Sequence, residues 1–151
     1  MSKASAHRRN TLRSPQASTA AVAAVMKANK KRDTKPELLV RKLLHSLGYR
    51  YRLHARDLPG NPDIVFRTRR KVIFVHGCFW HQHQHPNCHL RTHPKSNLSY
   101  WRPKLRRNQE RDIENQRKIA ALGWRIVVIW ECELGETRTL EKRLRKFLSN
   151  T

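Results

Sequence analysis

A chain of 151 residues has the length of one globular domain. It carries 33 Lys and Arg against 11 Asp and Glu, a formal net charge of +22, which predicts a polyanionic partner such as nucleic acid; a ribosome-associated basic protein is the alternative. No apolar run is long enough for a transmembrane helix, and the short run at residues 20–25 is followed too closely by lysines for a signal peptide, so we expect a cytoplasmic protein.

The order of the sequence patterns predicts the fold class. Residues 1–18 are polar and basic without an apolar period, which predicts a disordered N-terminal tail before a single domain over residues 19–151. Residues 19–30 have the composition of a short helix. The patterns that follow are helix, three strands, helix, strand and helix, which predict a compact α/β sandwich with a mixed sheet.

The first helix of the domain is predicted to begin at Thr34. Thr34-Lys-Pro-Glu37 matches a capping box, in which the hydroxyl and the carboxylate each accept a hydrogen bond from an amide at the helix start. Apolar residues then recur at helical spacing until Gly48, a typical residue after a helix end. They are Leu39, Val40, Leu43, Leu44 and Leu47.

Three strands are predicted next. Residues 49–54 alternate between apolar or aromatic side chains and basic ones, which is typical of a half-buried strand. Residues 63–66 and 71–75 are largely β-branched and apolar, and a basic turn separates them. We therefore expect these two segments to pair as a hairpin.

The C-terminal third is predicted to contain two helices around a strand. A basic helix is expected over residues 103–122, with Pro103 near its start. Residues 124–130 are the most apolar segment and are predicted to form the central strand, with Trp124 and Trp130 in the core. The core sides of the two helices are predicted to consist of Leu105, Ile113, Ile119, Ala120 and Leu122 in the first and Leu140, Leu144, Phe147 and Leu148 in the second.

Asp63 is the first candidate for chemistry, because it opens a strand directly after Pro62. A carboxylate beside a loop suits Mg²⁺, since hard cations take oxygen ligands and need room for water and phosphate. Turn chemistry alone would also explain an Asp after a proline turn. The neighbouring strand ends at Val75 and His76, however, and pairing of the two strands is expected to bring His76 close to Asp63.

The segment from His76 to Cys88 concentrates cysteine and histidine. Cys78, Cys88 and Cys132, with either His83 or His85, make a Cys₃His set, which is a standard ligand shell for structural zinc. Free cysteines are the alternative, but they do not explain the histidines between them. Cys132 follows the last strand, so a bound metal would tie the segment to the sheet.

Two other histidines, His76 and His81, are not needed in a four-ligand shell. An imidazole can act as general base or acid near neutral pH, so both are candidate catalytic residues; orienting ligands or binding phosphate is the alternative. Phe79 and Trp80 are adjacent and cannot both point into one core. With Trp101, which packing under the long helix would also explain, they are candidates to wedge between DNA bases.

Together, the motifs resemble those of the very-short-patch-repair (Vsr) DNA mismatch endonucleases, over roughly residues 20 to 135. The matching blocks are Arg32-Asp-Thr-Lys-Pro-Glu37, Leu58-Pro-Gly-Asn-Pro-Asp63, Val75-His-Gly-Cys-Phe-Trp-His81, Tyr100-Trp101 with Asn108 and Arg111-Asp112, and Leu122-Gly-Trp124 through Trp130-Glu-Cys132. Two features depart from the family pattern. Val75 stands where Thr is frequent, and the stretch from Trp80 to Cys88 is longer, which leaves the choice between His83 and His85 open.

The resemblance implies a restriction-endonuclease-like fold, which is a three-layer sandwich with a central mixed β-sheet flanked by helices, together with a structural zinc site. It also implies an activity, the Mg²⁺-dependent hydrolysis of one phosphodiester bond in one strand of duplex DNA beside a T·G mismatch. Deamination of 5-methylcytosine produces such mismatches, and their correction is very short patch repair.

For the site, the resemblance implies that Asp63 and the backbone carbonyl of Val75 bind Mg²⁺. It implies that His81 activates water, that His76 assists, and that Glu37 supports the site. The implied zinc ligands are Cys78, His83 or His85, Cys88 and Cys132. The residues implied to contact DNA are Phe79, Trp80, Trp101, Asn108 and, in the N-terminal segment, Lys27.

The expected form is a monomer bound to the bacterial nucleoid, and the resemblance suggests mismatch-repair proteins and a cytosine methyltransferase as further partners. Two other functions are compatible with the residues. A restriction-type or modification-dependent nuclease on the same fold would cut DNA without a mismatch. A non-catalytic, zinc-containing DNA-binding module would bind DNA without cutting it.

Overall fold

The computed structural model describes Ala20 and residues 32–149. The predicted N-terminal tail (residues 1–18) lies outside the described residues. So do residues 19 and 21–30 of the predicted short helix, Lys27 among them.

Residues 32–149 fold in the predicted order of elements. The elements are α1 (Lys35–Ser46), β1 (Arg52–Leu53), β2 (Ile64–Phe66), β3 (Lys71–His76), α2 (Leu98–Ala121), β4 (Arg125–Trp130), a 3₁₀ helix (Glu131–Gly135) and α3 (Thr137–Ser149). The predicted mixed sheet is confirmed. Its order is β1-β2-β3-β4, with antiparallel pairing up to β3 and parallel pairing of β3 with β4.

The sheet is covered on both faces. Successive side chains of a strand point in opposite directions, so each strand contributes to both cores. Ile73 and Val75 of β3 face one core, to which α1 and α3 contribute. Val72 and Phe74 face the other core, which contains Ile119 of α2. The described residues therefore form three layers, with α1 and α3 on one side and α2 on the other.

The prediction that residues 124–130 form the central strand is wrong. In the described part of the chain β4 pairs only with β3, and β3 occupies the interior of the sheet with all six residues buried. The apolar run of β4 arises because α3 packs on one of its faces and α2 lies under the other. A run of apolar residues indicates that both faces of a strand are buried, and it does not show whether the strand is central or at the edge of the sheet.

Two other elements differ from their predicted form. Only Arg52–Leu53 of residues 49–54 is strand, and both residues are exposed, while Tyr49 and Tyr51 pack edge-on against Phe66. Helix α2 begins at Leu98 rather than Pro103, so Tyr100 and Trp101 lie inside it.

The core side of α2 was predicted only in part. Leu105 and Ile119 are buried, but Ile113 is 69% exposed and Leu122 52% exposed, and Ala120 is also exposed. Polar residues take much of the inward side of this helix instead, because one of its faces lines a cleft. No helix in residues 32–149 is long and apolar enough to cross a membrane.

Candidate active site and metal centre

A cleft of about 1180 Å³ opens where β3 and β4 end. Its walls come from the start of α1, the turn before β2, the end of β3, the loop after β3 and one face of α2. The residues that line the cleft include Glu37, Asp63, Val75, His76, Trp80, His81, Lys104, Asn108 and Asp112. The carboxyl end of a strand on a rigid sheet is a suitable place for a precise site.

Asp63 lies at the base of the cleft, directly before β2. One oxygen of its carboxyl group, Oδ2, accepts a hydrogen bond from the amide of Val75 at 2.7 Å, as expected from the antiparallel pairing of β2 with β3. Burial raises the pKa of Asp63; the Val75 amide opposes this rise and the nearby Glu37 adds to it, and the resulting pKa is about 7. A buried carboxyl with a raised pKa is a typical binding partner for a cation, because the cation restores the charged form.

Glu37 enters the cleft from the first turn of α1 and is only 3% exposed. Its Oε2 accepts hydrogen bonds from the amide of Asp33 and from Arg41, each at 3.0 Å. The amide of Glu37 donates a 3.3 Å hydrogen bond to the Thr34 hydroxyl oxygen. The capping box is therefore present with one change, since the carboxylate binds the amide before the cap rather than that of Thr34 itself.

His76 and His81 stack face to face in the cleft, with ring centroids 3.8 Å apart and planes 6° apart. The Nδ1 atom of His81 lies 2.5 Å from Oδ2 of Asp112, a residue of α2. Burial and, to a smaller extent, the neighbouring His81 lower the pKa of His76 to about 3. His76 is therefore a neutral imidazole near neutral pH.

The loop at residues 77–83 carries most of the candidate residues, and α2 holds it in place. Asn108 donates to the carbonyl of Trp80 at 3.1 Å, and Gln109 donates to that of Gln82 at 3.4 Å. Within the loop, the amide of His81 bonds the carbonyl of Gly77 at 3.1 Å. These bonds fix the direction in which each side chain of the loop points.

The predicted thiol and imidazole ligands meet on the other side of this loop. Cys78, His83, Cys88 and Cys132 each offer one ligand atom, and these atoms all lie within 4.8 Å of one another. The Nδ1 atom of His83 is 3.8 Å from Sγ of Cys78 and 3.4 Å from Sγ of Cys132. His85 is exposed, and its Nδ1 accepts a hydrogen bond from the amide of Asn87 instead.

The geometry and the chemistry of this cluster suit a zinc ion. Tetrahedral zinc with sulfur at about 2.3 Å and nitrogen at about 2.0 Å places a sulfur and a nitrogen ligand roughly 3.6 Å apart. The two distances from His83 lie on either side of that value. Burial raises the pKa of the Cys78 thiol to about 12, so a cation is needed to hold it as the thiolate that zinc binds.

An aromatic cluster forms one end of the cleft. Trp101 of α2 packs on Phe79 and Trp80 of the loop, with ring centroids 5.6 and 5.8 Å away, and all three rings are half-buried. The ammonium group of Lys104 lies 5.5 Å from the Trp80 ring and 5.6 Å from the Trp101 ring, and it donates to the Tyr100 hydroxyl at 2.9 Å. A cation and flat rings on one exposed surface can both stack on bases and contact phosphate.

Sequence reasoning missed four residues of this site. They are Arg41, Lys104, Asp112 and Trp130. Trp130 was predicted in the core, but its half-buried ring stacks on His83 with centroids 4.1 Å apart. Asp112 had a detectable signal, since it lies one helical turn from Asn108, but only the folded chain brings it to His81.

The cleft has the composition of a nuclease site, because a buried carboxylate and two imidazoles lie beside rings that can stack on bases. Known proteins define the class further. A family model described as DNA mismatch endonuclease Vsr matches residues 17–87. The DNA mismatch endonuclease Vsr of Escherichia coli K12 is 40% identical over 124 residues, which are 82% of this chain and 78% of that protein.

Two relatives are described as type II nicking enzymes. V.XorIIP of Xanthomonas oryzae pv. oryzae is 52% identical over 82% of this chain and 89% of its own length. V.NmeAIP of Neisseria meningitidis is 41% identical over 78% of this chain and 81% of its own length. The chain belongs to the Vsr family of DNA mismatch endonucleases. It is a DNA endonuclease, and its substrate is DNA.

Proposed function

We propose that this endonuclease nicks one strand of duplex DNA beside a T·G mismatch in a reaction that needs Mg²⁺. One observation carries the proposal. The hydrolytic groups and the Trp80 ring share the cleft, and Asn108, which donates to the Trp80 carbonyl, lies one turn of α2 before Asp112, whose carboxylate contacts His81. A base step opened by the rings would therefore lie next to the groups that cut the backbone.

The carboxylate of Asp63 and the backbone carbonyl of Val75 would hold Mg²⁺. In that position Mg²⁺ would supply positive charge beside the scissile phosphate and the leaving oxygen. Glu37 supports this region as a second buried carboxylate, and the Arg41 guanidinium keeps its orientation. The residues Lys104 and Asn108 line the same cleft and are suited to contact the DNA.

His81 is the candidate general base. A carboxylate accepts hydrogen bonds, so Asp112 favours the tautomer of His81 with the proton on Nδ1 and leaves Nε2 free to take a proton from water. The water oxygen then bonds to phosphorus as the bond from phosphorus to the sugar oxygen breaks. His76 assists by stacking on the His81 ring, which orients it.

Nicking assays on matched pairs of duplexes test the proposal. We expect Mg²⁺-dependent nicking of one strand in a T·G duplex and little cutting of the same duplex with T·A or C·G at that position. Asp63→Ala should reduce the rate by about 10³-fold or more, in line with loss of a charge-stabilising group. Equal cutting of matched DNA would favour a restriction-type or modification-dependent nuclease, and full activity of Asp63→Ala would refute the proposed site.

We also propose that Cys78, His83, Cys88 and Cys132 bind one structural zinc ion. His83 is supported over His85 by its short distances to the thiols. We expect Cys132→Ser and His83→Ala to lose the metal, and His85→Ala to keep about one equivalent per chain. Metal analysis of the purified variants checks this expectation, and zinc retained in His83→Ala but lost in His85→Ala would reverse the assignment.

The cellular setting follows from the substrate. A mismatch of T with G that arises by deamination of 5-methylcytosine requires a cytosine methyltransferase in the same cell. We therefore propose that the endonuclease acts in very short patch repair alongside such an enzyme and mismatch-repair proteins. A panel of T·G duplexes with different flanking bases would identify the methylated sequence that it serves.

A further inference from the structure

The ring of His76 is oriented by other rings rather than by a hydrogen bond at Nδ1. His76 is 4% exposed, and its buried Nδ1 has no hydrogen-bond partner among the described residues. One ring neighbour is His81, which stacks on it at 3.8 Å. Another is Trp130, which lies edge-on with centroids 5.1 Å apart, and Phe74 is a third at 5.7 Å. Packing against these rings therefore sets the orientation of His76.

The other neighbour of Trp130 belongs to the thiol and imidazole cluster. The indole stacks on His83 with centroids 4.1 Å apart and planes 10° apart. His83 is in turn 3.4 Å from the thiol of Cys132, two residues after Trp130. The parallel register of β3 and β4 places Trp130 opposite His76. A continuous series of ring contacts thus runs from His83 through Trp130 and His76 to His81.

The backbone that carries the indole is also fixed. The amide of Trp130 donates to Oε2 of Glu133 at 2.7 Å, and Glu133 is paired with Arg143 of α3 at 2.5 Å. Arg143 also donates to the carbonyl of Val128 at 3.1 Å. The indole is therefore carried by a well-anchored part of the sheet edge, where it lies between His83 and His76.

We propose that Trp130 is a positioning residue for catalysis, which holds the imidazoles of His76 and His81 in register with the Cys/His cluster. This inference rests on the proposed roles of His81 as base and of the cluster as a zinc site. It gives the cluster a second purpose, because the metal would then orient the catalytic base as well as stabilise the loop.

Substitutions that distinguish the stacking face of Trp130 from its apolar volume test this proposal. Trp130→Leu keeps an apolar side chain but removes the stacking face, whereas Trp130→Phe keeps a face. In single-turnover nicking of a T·G duplex we expect Trp130→Leu to lower kcat by about 10²-fold, the usual consequence of a displacement near 1 Å. The apparent KM and the zinc content should stay within about twofold of wild type, and Trp130→Phe should recover most of kcat.

Trp124→Leu is the matched control. Trp124 directly precedes β4 at the far end of the strand, half-buried beside Arg67 and Arg70. Its loss should lower the thermal unfolding temperature about as much as Trp130→Leu does and leave kcat unchanged. Three results would each overturn the proposal: wild-type kcat in Trp130→Leu, an equal loss of kcat in Trp124→Leu, or loss of zinc together with activity in Trp130→Leu.

A readout that needs no activity separates this inference from the proposed function. The ¹⁵N resonance of His81 Nδ1 reports its hydrogen bond to Asp112. We expect it to move toward the value of a free imidazole in Trp130→Leu and to return in Trp130→Phe. If wild type fails to nick T·G duplexes, the proposed function is wrong, and this resonance still decides whether Trp130 orients His81; an unchanged resonance in Trp130→Leu would refute that role.

Discussion

The carboxyl of Asp63 illustrates how one residue can oppose the stability of the fold that it serves. Burial raises its pKa from an ordinary value of 3.8 to about 7. The folded state therefore binds the proton more tightly than the unfolded state does. The resulting stabilisation is complete below about pH 4 and is lost as the pH rises through 7.

This linkage makes a prediction about stability in magnesium-free buffer. At pH 8 the free energy of unfolding of Asp63→Asn should exceed that of wild type by about 2–4 kcal/mol, so the variant should unfold at a higher urea concentration. This difference in free energy should shrink toward pH 5. Urea unfolding of both proteins at the two pH values measures it, and effects common to both proteins cancel. Asp57→Asn is the control, because Asp57 is exposed and paired with Arg67. Parallel pH profiles for Asp63→Asn and wild type would contradict the raised pKa.

Glu37 combines a local and a distant function in one carboxylate. It accepts a hydrogen bond from the amide of Asp33 at the start of α1, one residue before the amide that the predicted capping box would use. It also lies at the cleft beside Asp63, because α1 begins against the turn that precedes β2. A loss of activity in Glu37→Ala would therefore mix a lost cap with a lost active-site carboxylate, and Glu37→Gln, which can still accept both bonds, is the more informative substitution.

At the scale of elements, the turn before β2 sets the position of Asp63, and α2 sets the position of the turn. Gly60 has φ +74, and a Cβ placed on it would lie 2.9 Å from the side chain of Asn115 on α2. Asn115 lies one turn along from Asp112. The close approach of Gly60 to α2 therefore fixes the distance between the carboxylate and the imidazole pair.

Two glycine substitutions test this arrangement. Gly48 has a similar φ of +86, but a Cβ added to it would meet nothing within 4 Å. Gly48→Ala should therefore lower the free energy of unfolding only by the backbone strain, about 1–2 kcal/mol, and leave nicking intact. Gly60→Ala adds a steric clash and should cost about 1–3 kcal/mol more. It should also lower the nicking rate of the folded protein. Equal unfolding free energies and equal rates for the two variants would show that α2 does not position the turn.

At the scale of the whole molecule, charge and shape make separable contributions to DNA binding. The net charge of +22 favours any duplex through release of counterions, whereas the stacking that we propose for Phe79, Trp80 and Trp101 would favour a weakened base step. Affinity for DNA in general and preference for a mismatch should therefore respond to different substitutions.

Binding measured over a range of salt concentrations checks this separation. Trp80→Ala and Trp101→Ala should lower the preference for T·G over matched DNA by about tenfold or more, since a stacked base contributes about 1–3 kcal/mol. The salt dependence should stay as in wild type. Arg106→Ala, an exposed residue of α2, is the control and should weaken both duplexes equally and reduce the salt slope by about one. A uniform loss in the tryptophan variants would mean that the rings only pack.

The amino-acid sequence by itself determined the order of the elements, the apolar faces of α1 and α3, and the types of residue that make up the site. These properties are local, because helix caps, periodicity and clustered cysteine and histidine are all legible over a few residues. Val40, Leu44 and Leu144 are buried as their spacing predicts.

Only the tertiary structure decided which residues meet. The pairing of His81 with Asp112, the approach of His83 to the thiols and the position of Trp130 between two clusters all depend on distances between segments that are 5 to 49 positions apart. The same cause explains the misplaced strand and the exposed Ile113, since burial depends on what covers a side chain. No local pattern encodes that cover, because a neighbour from a distant part of the chain supplies it.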